Sequence, residues 1–158
     1  MEIQLCTQAQ FFDRLPDFGR GIPDPRTTQF SFGVCEVPSF PNGRVLIIAF
    51  SGRADNAACH DAFEVMPAVI NAALSLWQPG GVVLDLRQLH YEWGDWMTNS
   101  LVAADPQPTT VVVSDRNREG LTTLVSGEMF VQPGDWLYET LDDAVAAIVA
   151  RFDGREQA

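Results

Sequence analysis

Three short apolar runs constrain this chain most: VLIIAF at 45–50, VVLDL at 82–86 and TTVVVS at 109–114. Only Asp85 breaks the middle run, so none has the polar alternation of a strand with one wet face. The first reads as a central strand covered on both faces, the second as another buried strand and the third as a β-branched strand. The stretches between them have helical period instead. From about 56 to 77, Ala62, Phe63, Met66, Val69, Ile70, Ala73, Leu74 and Trp77 keep one apolar face. Asp55 or Asn56 can cap that helix, and Pro67 inside it should kink it or split it in two. Residues 93–104 and 118–126 read as shorter helices, the first stopped by DPQP at 105–108.

The two ends complete the pattern. Over 29–37, Phe30, Phe32, Val34 and Glu36 fall on one face of an alternating strand. The turn cluster PSFPNG at 38–43 makes the next run its antiparallel partner. Residues 130–138 contain a turn at Pro133-Gly134 and a last short strand. Thr140 then caps the final helix, with Asp143 three residues on completing a capping box. Leu141, Ala144, Val145, Ile148, Val149 and Phe152 form its apolar stripe. The order β-β-α-β-α-β-α-β-α is that of an α/β fold: a mixed, mainly parallel sheet of about five strands with helices packed on it. Residues 1–28 differ, with a short helix at 8–15 and a loop rich in Pro and Gly. They read as an N-terminal arm laid over one domain at 29–158.

Composition narrows the function. No run approaches the ~18 apolar residues that span a bilayer, so no membrane insertion is expected. The start, MEIQLCTQAQFFDRLPDF, lacks an export signal, which points to the cytoplasm. Cys6, Cys35 and Cys59 are widely spaced and without CxxC pairing, so neither a disulfide framework nor zinc is expected. A net charge of −11 argues against nucleic acid and anionic membranes as partners. All ten basic residues are arginine. The natural counterpart of such a surface is a basic protein.

Three stretches carry a family resemblance: VLIIAFSGRAD, GGVVLDLRQLHY and LYETLDDAVAAIVARF. Over roughly 29–152 the chain resembles a STAS domain, the fold of bacterial anti-sigma-factor antagonists. The resemblance implies a regulatory partner of the anti-sigma or kinase kind. It also implies a point of departure. Where regulatory members place an Asp-Ser-Ser/Thr-Gly cluster phosphorylated by a partner kinase, this chain has Trp93-Gly94-Asp95-Trp96. Gly94 stands at the phosphoacceptor position and has no hydroxyl, so control by phosphorylation is not expected there.

Asp85, Glu92 and Asp95 have no spacing that assigns one as acid and another as base, and Asp85 suits a structural acceptor in a strand. His60 and His90, even with Asp61 or Glu92, lack metal-ligand spacing. Arg53, Arg116 and Arg118 follow two central strands and offer an anion or ligand site beyond the sheet's C-terminal edge, although no phosphate-binding loop accompanies them. No nucleophile elbow is present. The residues best suited to binding are Tyr91, Glu92, Trp93, Asp95 and Trp96, large rings among carboxylates just past the 82–86 strand. The expectation is therefore a non-enzymatic protein-binding module without cofactor or metal. It would regulate or neutralise a basic partner, either an anti-sigma or kinase-like regulator or, as an immunity protein, a cognate toxin. A small-molecule or lipid carrier with an apolar pocket is the alternative.

Overall fold

The computed structural model describes residues 3–6, 28–38, 40, 42–54, 59–92, 94, 97–129 and 132–156. Six strands form one sheet in sequential order: β1 (Ile3–Cys6), β2 (Thr28–Glu36), β3 (Arg44–Arg53), β4 (Gly81–His90), β5 (Thr109–Val112) and β6 (Leu137–Tyr138). Strands β1, β2 and β3 pair antiparallel, and β3 to β6 run parallel. The helices are α1 (Cys59–Trp77), α2 (Met97–Val102), α3 (Arg118–Gly127), the single turn α4 (Pro133–Trp136) and α5 (Leu141–Glu156).

This is the expected mixed α/β sheet, with an extra strand. Ile3–Cys6, assigned to the arm, pairs with β2 in the register Ile3 opposite Cys35 and Cys6 opposite Phe32. Four residues are too few for alternation to show above noise, which is why the strand escapes the pattern. The helix expected at 8–15, and the capping residues Asp55 and Asn56, lie outside the described residues. Pro67 does not split α1, which continues through it as one 19-residue helix. The helix expected at 93–104 is shorter, at Met97–Val102.

Sequential parallel strands dictate where the helices go. Crossovers that all advance the same way across a sheet, with the same hand, must all lie on one face. Accordingly α1, α2 and α3 share one core with the sheet: Met66, Val69, Ile70, Met97, Leu101 and Leu121 pack with Phe32, Leu46, Ile48, Phe50, Leu84 and Leu86. Among the described residues, α5, which follows the last strand, is the helix on the other face. There Ala144, Val145 and Ile148 meet Cys35, Val45, Ile47, Val83 and Val112. The expected capping box holds α5's start, since Asp143 N–H donates to Thr140 Oγ1 at 3.1 Å and Thr140 Oγ1 lies 2.6 Å from Asp143 Oδ2.

Along the strands the sequence changes beyond the positions that pack against α5. Along β3 the α5-facing positions pass from Val45 and Ile47 to Ala49 and Ser51, and along β4 from Val83 to Asp85. Gln29, Ser31, Ser51, Asp85 and Gln88 line an open cleft of about 350 Å³ there.

Candidate functional site

The stretch after the 82–86 run owes its geometry to one inserted residue. Ala49 pairs with Asp85, but two residues later Ser51 pairs with Gln88, so β4 carries one residue more than β3 across this step. Such a bulge exchanges the faces of every residue beyond it. Val82, Leu84 and Leu86 point into the helix-covered core; after the bulge Leu89 and Tyr91 do so instead. The alternation slip was visible in the letters LDLRQLHY. It extends the strand to His90 and turns Tyr91 inward.

The β4–β5 ladder ends at Asp85, so carbonyls of β4 beyond it need other donors. Asn117, fully buried, meets this need. Its Nδ2 donates to Leu86 O at 2.6 Å and to Leu89 O at 3.1 Å, while its Oδ1 accepts from Ser114 N–H at 3.0 Å. Asn117 is the N-cap residue of α3, yet its side chain makes no capping bond because the amide is engaged with β4. The link ties the β5–α3 loop to the end of β4.

Two glycines allow close approach above that link. A Cβ on Gly120 would lie 2.5 Å from Glu92 O and 3.2 Å from Tyr91 Cε1, so only glycine lets α3 close on residues 91 and 92. Gly94 has φ +132°, a conformation that side chains resist, and its carbonyl accepts the Tyr91 hydroxyl at 2.8 Å. The result is a cavity of about 450 Å³ between the end of β4 and α3, lined by Tyr91, Glu92, Arg116, Glu119, Gly120 and Glu128 among others. Glu92 is exposed at its rim, with Oε1 3.5 Å from His90 Nε2.

The structure distributes the expected residues unevenly. Tyr91 is a correction: expected on an exposed binding surface, it is 1% exposed and belongs to the core. Glu92 is on the surface. Trp93, Asp95 and Trp96 lie outside the described residues. The three arginines stand on separate elements. Arg53 ends β3 opposite His90, Arg118 Nη2 contacts Glu139 Oε1 at 2.9 Å, and only Arg116 lines the cavity. Asp85 is held by Arg87 through a two-pronged contact of 2.9 and 2.7 Å, which keeps the guanidinium above its ordinary pKa. Cys35 is buried, and desolvation pushes its thiol up, with Glu36 and Asp142 adding to the effect. Among the described residues no three His, Cys, Asp or Glu side chains are grouped to hold a metal, and no helix is long and apolar enough to cross a membrane.

Asn117, Gly120, Glu119 and Glu128 were not singled out by sequence. Asn117 sits in SDRNR, a polar loop whose letters give no sign of burial, and Gly120 in a helical run where glycine looks incidental. A glycine tolerated inside a helix was the available signal for close packing.

No protein-family model matches the chain, and no curated protein matches it in sequence. Among solved structures it is similar to the crystal structure of an anti-sigma factor antagonist from Mycobacterium paratuberculosis. The identity is 19% and the TM-score 0.48, over 76% of this chain and 94% of that one. The likeness concerns the course of the backbone and assigns no binding partner.

Proposed function

We propose that this chain is a non-enzymatic protein-binding module whose acidic surface at the end of β4, centred on Glu92 and residues 93–96, docks a basic regulatory protein of the anti-sigma or kinase kind. The observation that carries this reading is the way Glu92 is held. The bulge, the Asn117 clamp and the close approach at Gly120 fix the backbone beneath it from three sides, while its side chain stays exposed. A surface fixed before contact loses little entropy on binding, the condition for high affinity from a small patch. On this reading Trp93 and Trp96 would supply the large rings such a patch needs, and Asp95 would add to its charge. The net charge of −11 supports a basic partner and a rapid, salt-sensitive encounter.

The Ser/Thr-to-Gly replacement at Gly94 supports a module without phosphorylation control. Gly94's backbone, φ +132° with its carbonyl bonded to Tyr91, suits a structural turn. Asp85, engaged by Arg87, is better suited to tethering than to proton transfer. A toxin with a basic active site would meet the same surface in the same way, and identification of the captured protein decides between the two kinds of partner.

The test is affinity capture of the partner by wild type and by a Trp96→Ala/Asp95→Arg variant, at rising salt. The wild type should retain a basic protein whose association slows as salt increases. The variant should lose it while keeping the wild-type melting curve. Equal capture by both proteins would contradict the reading.

A further inference from the structure

Of the five asparagines in the chain, only Asn42 precedes a glycine. In an unfolded chain that pair is reactive, because glycine has no Cβ to keep its backbone nitrogen away from the asparagine side chain. The fold engages both groups that would react. Asn42 Nδ2 donates to the Gln78 carbonyl at 2.8 Å, and Gly43 N–H donates to Phe40 O at 2.9 Å. Asn42 is nonetheless exposed, so water reaches it.

These bonds sit at a junction of several elements. Gln78 follows the last turn of α1 in a left-handed conformation, φ +44°, with its N–H bonded to Leu74 O. Two residues on, Gly80 N–H donates to Arg44 O, and a Cβ on Gly80 would lie 3.1 Å from the Phe40 ring. Phe40 is buried and meets Phe152 of α5 edge to face, with ring centroids 4.7 Å apart. The turn between β2 and β3 therefore joins the end of α1, the start of β4 and α5. Asn42 ties that turn to α1.

We propose that Asn42 is the site of spontaneous deamidation in this chain, that the fold restrains the reaction by holding both reacting groups, and that conversion releases the junction. The step needs only water and changes no oxidation state. Gly43 N bonds to Asn42 Cγ and closes a succinimide ring, while Nδ2 leaves as ammonia with the proton that Gly43 N gives up. Water then opens the ring. Attack at Cγ yields aspartate, and attack at the backbone carbonyl carbon of residue 42 yields isoaspartate. Ring closure requires the side chain to leave Gln78 and Gly43 N–H to leave Phe40, so the reaction waits on local opening of the turn. Either product lacks the Nδ2 donor, which takes from the Gln78 carbonyl its bond to Asn42. Aspartate instead turns an acceptor toward an acceptor. Isoaspartate lengthens the backbone of the turn by a methylene and disturbs the spacing at which Gly43 meets Phe40.

The test is incubation of the full chain in mildly alkaline buffer, folded and in urea, followed by peptide mapping with mass detection. In urea Asn42 should convert before the other asparagines. In the folded protein its conversion should be slower by about tenfold or more, the scale of protection by a locally closed turn. Asn42→Gln, whose longer side chain closes a ring far less readily, should abolish the product. The deamidated fraction, separated by its added negative charge, should melt at lower temperature than untreated protein. Its Gly43 and Gly80 amide hydrogens should also exchange faster. Another asparagine converting first in urea would overturn the assignment, and equal rates in folded and unfolded chains would overturn the restraint. A deamidated fraction with unaltered exchange at Gly43 and Gly80 would show that Asn42 does not hold the junction.

Discussion

Asn117 joins β4 to α3 with one side chain, and its value lies in what would be exposed without it. The Leu86 and Leu89 carbonyls lie beyond the last β4–β5 pair, and a buried carbonyl without a donor costs about 1–3 kcal/mol. Asn117→Ala should therefore destabilise the protein by roughly 2–4 kcal/mol in urea unfolding, read from the midpoint at unchanged slope. A loss under about 0.5 kcal/mol, the range of an ordinary surface change, would contradict the clamp. Cys35 tests burial on the opposite face. The unfolded thiol releases its proton at lower pH than the folded one, whose pKa desolvation has raised. Stability from this group is thus complete below the ordinary thiol range and falls as pH rises through the folded value. Alkylation of Cys35, followed by peptide mass mapping at pH 8, should be slow in the native protein and fast in urea. Equal rates would mean that the thiol is not sealed under α5.

At the scale of elements, the regular segments were legible and the irregular ones were not. The α5 stripe and its capping box follow from fixed spacing, and the structure reproduces both. Thr140→Ala removes the cap and should cost about 1 kcal/mol, lowering Tm by about 2–4 °C, while a substitution at exposed Ala146 should not. An unshifted Tm would mean that the Thr140–Asp143 contact contributes nothing net. The bulge in β4 was legible only as a slip in alternation, from Val82, Leu84 and Leu86 to Leu89 and Tyr91. Read without that slip, Tyr91 joins the aromatic surface cluster; read with it, Tyr91 belongs to the core. β1 was illegible for a different reason, since its place depends on pairing with β2 rather than on its own four letters.

At the scale of the molecule, the α/β class and the antiparallel start of the sheet followed from the order of apolar runs. The division of faces follows from topology: sequential crossovers gather α1, α2 and α3 on one side, and α5 packs on the other. The proposed binding surface was legible in part. Charge and aromatic content pointed to the end of β4, but the cavity beyond it depends on Gly120 and Asn117, whose tertiary roles no local pattern announces. The same topology makes a directional claim, because the clamp, the cavity and Glu92 all lie where β4 meets α3, away from α5. Hydrogen–deuterium exchange of the partner complex measures this most directly. Binding should slow exchange across 89–97 and along α3 while α5 and β1 exchange as in the free protein. Protection confined to α5 or to β1, with 89–97 unchanged, would contradict the account.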